Sequence, residues 1–227
     1  MKQRIRLQGF LIFFFVVLTV FLMLTAQKLI FVQWQKENLD ELADVLGITF
    51  ICLGYFIRLT ARAYKSRESL NSHKLVMDGI YRYVRNPMYL GSFTVGVGVV
   101  VTIFQPWVLF ILTFIFAVIY QLQTKKEELY LQKNFGNEYV DYKQRTPKYF
   151  PRRIFAFLAC IFKDLPFHWE PIKSELPSFC IIVFIVTMLA AWQDVQLFGG
   201  QEFIKEISEF IFTFGSIIFV IFIHLFN

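Results

Sequence analysis

The sequence predicts an all-α, polytopic membrane protein of about six transmembrane helices, with its polar chemistry gathered at the cytoplasmic face. Three observations carry that prediction. Of 227 residues, 56% are hydrophobic, 29 are Phe and only 18% are charged, too little polar surface for a water-soluble chain of this length. The apolar residues fall in runs able to cross a hydrocarbon core of about 30 Å at about 1.5 Å rise per residue. Lys and Arg collect on one side of those runs.

Residues 7–31 follow Lys2, Arg4 and Arg6 and are too long an apolar stretch for a signal-peptide core. Residues 45–60 form a shorter run, extendable to 64, with Arg58 and Arg62 placed to snorkel at its end. Residues 88–104 and 106–122 are separated by Gln105-Pro106. Proline removes a backbone donor and crowds the preceding turn, so the two runs read as a helical hairpin. Residues 176–197 and 203–226 complete the set, while 154–162 are too short to cross and lie in the interface or re-enter.

An even number of spans leaves both termini on one side. Putting the N-terminus, residues 58–85 and residues 125–173 there accounts for every Lys and Arg except Lys28, Lys36 and Lys205. The excess of positive charge makes that side cytoplasmic. Acids gather opposite, with Glu37, Asp40, Glu41 and Asp44 in one loop and Asp194, Glu202, Glu206 and Glu209 near the other. The net charge of +6 flanks apolar segments instead of forming a basic domain, which points to anionic lipid headgroups and away from nucleic acid. Cys52, Cys160 and Cys180 lie in apolar stretches without paired or metal-like spacing, so they read as packing residues and no metal site is expected.

Polar residues concentrate in 62–91 and 121–151, the cytoplasmic entry and exit of the central hairpin, which brings the two stretches together. Pro87 suits the first turn of a helix with Asn86 as its N-cap, and such an N-terminus offers free N–H groups and partial positive charge to an anion. By itself Asn86-Pro87 is equally a plain cap. In the second stretch Glu127 and Glu128 are adjacent. At about 100° per residue only one of them can face the cavity, leaving the other to water or a basic residue. A carboxylate facing a cavity at the membrane boundary can hold a cationic or hydrogen-bonding ligand.

Together the stretches spell Gly79-x-Tyr81-x-x-x-Arg85-Asn86-Pro87-x-Tyr89-x-Gly91, then Glu127-Glu128, then Phe135-Gly136-x-x-Tyr139-x-x-Tyr142 and Pro147. This pattern resembles the isoprenylcysteine carboxyl methyltransferase family from about His73 to Pro151, roughly a third of the chain. The resemblance implies a helical membrane fold with S-adenosylmethionine in a cytoplasmic pocket and a lipid-linked acceptor entering from the bilayer. It places His73, Leu75, Val76, Tyr81, Asn86, Pro87 and Tyr89 at the cofactor, and Glu127 where a carboxylate completes the pocket. Aromatic faces of Tyr81 and Tyr89 suit adenine or a sulfonium, although the same tyrosines serve as interfacial belt residues. Glu127 and Arg85 are the candidate catalytic residues. The tail around Tyr139, Tyr142 and Pro147 is expected to pack as a lid. The matching core is residues 73–151, between N-terminal spans in 1–72 and an interfacial segment with a helix pair in 152–227.

One departure bears on the acceptor. Eukaryotic members carry an arginine four residues before the pocket carboxylate, expected to hold the substrate carboxylate, where this sequence has Gln123, with Gln121 nearby. Glutamine can hydrogen-bond a carboxylate but brings no charge, leaving Arg82 or Arg85 to supply it. A phospholipid N-methyltransferase shares cofactor and topology. A sterol-type reductase with a nicotinamide cofactor shares an Asn/His-Pro-x-Tyr stretch, and a non-catalytic membrane scaffold would use the same residues as tethers. The Glu127-Glu128 pair and the Phe135-Gly136 tail favour methyl transfer to a lipid or lipid-linked acceptor.

Overall fold

A computed structural model of the protein describes residues 37–70, 75–163 and 169–198. The predicted runs 7–31 and 203–226, and His73, lie outside the described residues. Within them the chain is helical: α1 (Glu37–Leu70), a short 3-10 turn (Gly79–Arg82), α2 (Pro87–Ile103), α3 (Val108–Arg145), α4 (Ile154–Lys163) and α5 (Trp169–Phe198). Among the described residues, three segments are long and apolar enough to cross a membrane, Leu42–Ser66, Val108–Arg145 and Pro171–Trp192.

Local chemistry sets the boundaries. Pro87 opens α2 from its first turn, where its missing N–H costs nothing. Phe104 then turns extended at φ −108°, ψ 154°, and the chain restarts as α3 beyond Pro106. The predicted hairpin break is therefore present. Its second arm runs on past the apolar span that ends near 122: it carries Glu127 and Glu128 as helical residues, kinks at Gly136 and resumes to Arg145, since the residues after Leu122 are mainly Lys, Glu, Gln and Leu, all good helix formers. The run expected at 45–60 likewise extends in both directions, while 88–104 and 176–197 fall within α2 and α5 to within a residue.

The tightest contact in the fold joins α1 to α2, which run antiparallel with two glycines facing two. A Cβ on Gly54 would stand 2.6 Å from the Gly91 carbonyl oxygen and 2.7 Å from the Val95 nitrogen, and one on Gly98 would stand 2.9 Å from the Ile51 nitrogen. These distances leave room only for hydrogen, so the backbones meet directly, as small residues permit when lipid gives no hydrophobic drive between helices. Around this seam Ile51, Tyr55, Val95, Val100, Ile103 and Phe104 form a core that α5 closes with Val186, and Phe179 meets the Tyr55 ring edge-on at 5.0 Å. A second cluster below it joins Ile57 and Ala61 of α1, Ile80 and Val84 beside the 3-10 turn, and Phe157, Cys160 and Ile161 of α4. Much of α3 beyond its contact with α2 is apolar and exposed, including Phe110 and Phe114, as expected of a surface whose solvent is lipid.

Arg58 and Arg62 do not snorkel. They lie one turn apart on α1 and grip the two carboxylate oxygens of Glu175 on α5, with Arg58 Nε donating at 2.9 Å and Arg62 Nε at 2.7 Å. Arg58 also donates to Ser92 of α2. Glu175 is buried, so the cluster ties three helices at the level where the apolar part of α1 ends.

Three outcomes follow for thermal unfolding in detergent. Gly54→Leu should lower stability by about 2–3 kcal/mol, because the new side chain meets backbone. Gly96→Ala should be tolerated, since its Cβ would meet only the flexible end of Leu112 at 3.2 Å. Glu175→Gln should lower stability by about 3 kcal/mol by leaving two guanidinium groups without their counter-charge.

Candidate active site

The segment before α2 is shaped by Gly79. Its φ of 58° lies in the left-handed region, and a Cβ there would run into the Tyr64 ring of α1. The turn that follows buries Ile80 and leaves Tyr81 with its phenol directed at the Ala61 carbonyl oxygen, 3.4 Å away. Tyr81 is therefore held at both ends, because the Tyr142 hydroxyl donates to its backbone carbonyl at 2.7 Å.

Gly136 does the corresponding work in α3. With φ 52° and ψ −126° it breaks the helical path, and open space around its missing Cβ shows that conformation, not crowding, requires glycine. Beyond the kink Tyr139 and Tyr142 share a face and bury against Leu75, with Met77, Leu131 and Phe135 alongside. Burial pushes the Tyr142 phenol above its ordinary value, keeping it a donor across the physiological pH range. The chain after Arg145 then folds back over the start of α2. The Arg85 amide donates to the Pro147 carbonyl at 2.9 Å, the Asn86 side chain donates to the Lys148 carbonyl at 3.2 Å, and Tyr149 and Thr124 share a hydroxyl hydrogen bond of 3.1 Å. The tail motif thus closes over the 85–86 segment. Asn86 occupies the N-cap position but makes no side-chain cap bond, because its amide is used to hold this tail.

The adjacent acids divide as their helical angle requires. Glu127 accepts a 2.9 Å hydrogen bond from the Tyr89 hydroxyl. Glu128 takes Arg85 at 3.0 Å and Lys143 at 3.4 Å. Tyr89 is buried, its ring 4.5 Å from that of Tyr120, and Phe116 and Phe93 extend the aromatic wall along α2 and α3. Gln123 is half-buried one turn before Glu127. Pro87 is buried and Val76 half-buried. Arg82 instead lines an open cleft of about 530 Å³ with Met77, Glu138, Asp141, Tyr142, Arg145 and Thr146.

The fold therefore brings Arg85, Tyr89, Glu127 and Glu128 to the meeting of α2 and α3, roofed by the tail. Tyr81 sits beside this group with its phenol turned to α1, and Leu75 serves the tyrosine cluster. Sequence reading missed the Arg85–Glu128 pair and Lys143, although adjacent acids opposite an arginine-bearing helix start were the available signal. The group suits a zwitterionic amino-acid head. Glu127 places a carboxylate beside the Tyr89 hydroxyl, and the Arg85 guanidinium, held by Glu128, places a positive charge at the same end of α2. The methionine portion of S-adenosylmethionine is such a head, and the donors and acceptors here fit it.

Comparison with known proteins bears on the same residues. Residues 40–138 match the phospholipid methyltransferase family profile. Protein-S-isoprenylcysteine O-methyltransferase B of Arabidopsis thaliana is 34% identical over 117 residues, covering 46% of this chain and 57% of its own. The human protein-S-isoprenylcysteine O-methyltransferase is 32% identical over 134 residues, covering 52% and 44%. The nickel-cobalt-cadmium resistance protein NccN of Alcaligenes xylosoxydans xylosoxydans is 34% identical over 108 residues, covering 48% of each chain. The chain spans about half the length of the curated relatives it matches. No solved structure matches significantly. The profile match takes in most of α1, all of α2, Arg85, Glu127 and Glu128, and over about half its length the chain is similar to protein-S-isoprenylcysteine O-methyltransferases.

Proposed function

We propose that the chain is an integral membrane methyltransferase that moves a methyl group from S-adenosylmethionine to a lipid-linked acceptor of the isoprenylcysteine-carboxylate kind. The observation that carries this reading is the placement of Tyr89–Glu127 and Arg85–Glu128 together at the start of α2, inside the part of the chain shared with methyltransferases. About six spans, cytoplasmic termini and a site at the cytoplasmic face complete the proposed topology, in keeping with the distribution of Lys and Arg. The core of residues 73–151 binds and reacts, and 1–72 and 152–227 hold it in the bilayer.

When bound, S-adenosylmethionine supplies an electrophilic methyl group on a sulfonium. The protein's part is to hold and orient. Glu127, fixed by Tyr89, would hold the ammonium of the methionine head, and the Arg85 guanidinium, anchored on Glu128, would hold its carboxylate. His73, Leu75, Val76, Tyr81, Asn86 and Pro87 form the rest of the binding segment. The tail over residues 85–86 excludes water, so positioning supplies much of the rate. A carboxylate acceptor then needs no general base, and Gln123, one turn from Glu127, is placed to hydrogen-bond it.

A phospholipid amine is the second reading, favoured by Gln123, which lacks the charge an acceptor carboxylate would seek. An amine must lose a proton before it accepts a methyl group, so its rate should rise with pH toward the amine pKa. A flat profile over that range would exclude it.

Calorimetric titration of the detergent-purified protein with S-adenosylmethionine tests the donor site. Glu127→Gln keeps an acceptor for Tyr89 while removing the charge, and Arg85→Gln removes the guanidinium; each should weaken binding roughly tenfold or more. A nicotinamide cofactor should give no saturable heat. Equal affinity in the wild type and both variants would defeat the assignment of these residues. Gln123→Ala should raise the acceptor KM while leaving the donor Kd within about twofold.

A further inference from the structure

We propose that α4 is a docking surface for anionic phospholipid, lying in the plane of the membrane face and bracing the candidate active site from outside. This helix of 10 residues is about 15 Å long, too short to cross. It is apolar on both sides. Phe157, Cys160 and Ile161 are buried against the protein, while Ile154, Phe155 and Phe162 are 56%, 85% and 58% exposed, with Phe150 exposed just before them. A face this apolar is covered by something other than water.

Charge identifies the cover. Arg152 and Arg153 precede the helix, Lys163 ends it, and all three are exposed. Two cations at a helix N-terminus oppose the helix dipole, so their placement is unfavourable to the isolated helix and favourable only opposite negative charge. Residues 150–163 include no acid. A second copy of the same face would therefore bring like charges together in either orientation, whereas anionic headgroups match the arginines and lysine and acyl chains match the phenylalanines. The height is right as well, since Phe162 meets Phe56 of α1 at 6.3 Å, within the apolar segment Leu42–Ser66 and near its basic end.

The buried side of α4 leads to the site. Phe157 meets Tyr83 edge-on at 6.4 Å, and the same cluster encloses Ile80 and Val84, so α4 supports the segment that ends in Arg85 and Asn86. Lipid bound to the outer face thus steadies residues 79–86 through the inner one.

Hydrogen exchange read by mass spectrometry on the full-length protein in lipid nanodiscs tests this without calling on any methyl donor or acceptor, so its outcome is independent of the proposed activity. In discs of phosphatidylcholine mixed with phosphatidylglycerol, amides of 154–163 and 79–86 should exchange roughly tenfold more slowly than in phosphatidylcholine alone. The double variant Arg152→Gln, Arg153→Gln should erase most of that difference while the α1–α2 core keeps its protection. Equal exchange of the unmodified protein in both lipids would overturn the proposal. So would protection that depends on two copies per disc instead of on lipid charge.

Discussion

The direct backbone contact of α1 with α2 is the constraint on which the rest depends. Gly54 against Gly91 and Gly47 against Gly98 let the helices approach closer than any side chain allows, and this approach fixes where α2 begins. It sets the Gly79 turn against Tyr64, and the same antiparallel alignment puts Arg58 of α1 within reach of Ser92. Because a membrane gives apolar helices little reason to prefer one another over lipid, shape and polar ties must supply the specificity. The Arg58–Arg62–Glu175 cluster supplies the principal polar tie, fastening α5 across the seam.

The site inherits its geometry from that frame. Pro87 starts α2 beneath the returning tail, and Tyr89, one turn into the helix, reaches across to Glu127 on α3. Glu127 and Glu128 take different partners, Tyr89 for the first and Arg85 with Lys143 for the second. Gly136 makes the tail possible: without a bend there, Tyr142 would continue along the α3 axis instead of donating to the Tyr81 carbonyl.

What was legible in the sequence was local or patterned. The proline after Gln105 marked the hairpin, Pro87 marked the start of α2, and the motif spacing picked out Arg85, Asn86, Tyr89 and Glu127, which the fold brings to the meeting of α2 and α3. What was not legible depended on partners far away in sequence. Arg58 and Arg62 look like snorkelling residues until Glu175, 117 residues from Arg58, is brought beside them. Asn86 looks like a cap until the Lys148 carbonyl arrives to claim its amide. The further turns of α3 beyond Gly136 were not legible because a glycine kink, not a helix end, lies there. The glycines of α1 and α2 carry no sign of pairing until the helices are antiparallel.

Methyl transfer to a lipid-borne acceptor by the Arg85–Glu127 site is best tested by following the methyl group itself. Purified protein would be incubated in vesicles of a lipid extract with S-adenosylmethionine labelled on its methyl group, and the lipid phase would be counted before and after mild alkali. Label should enter the lipid phase in a Glu127-dependent manner and leave as methanol on alkaline hydrolysis, the signature of a methyl ester. Alkali-stable label would assign the acceptor to an amine. Folded protein that transfers no label to any lipid would contradict the account.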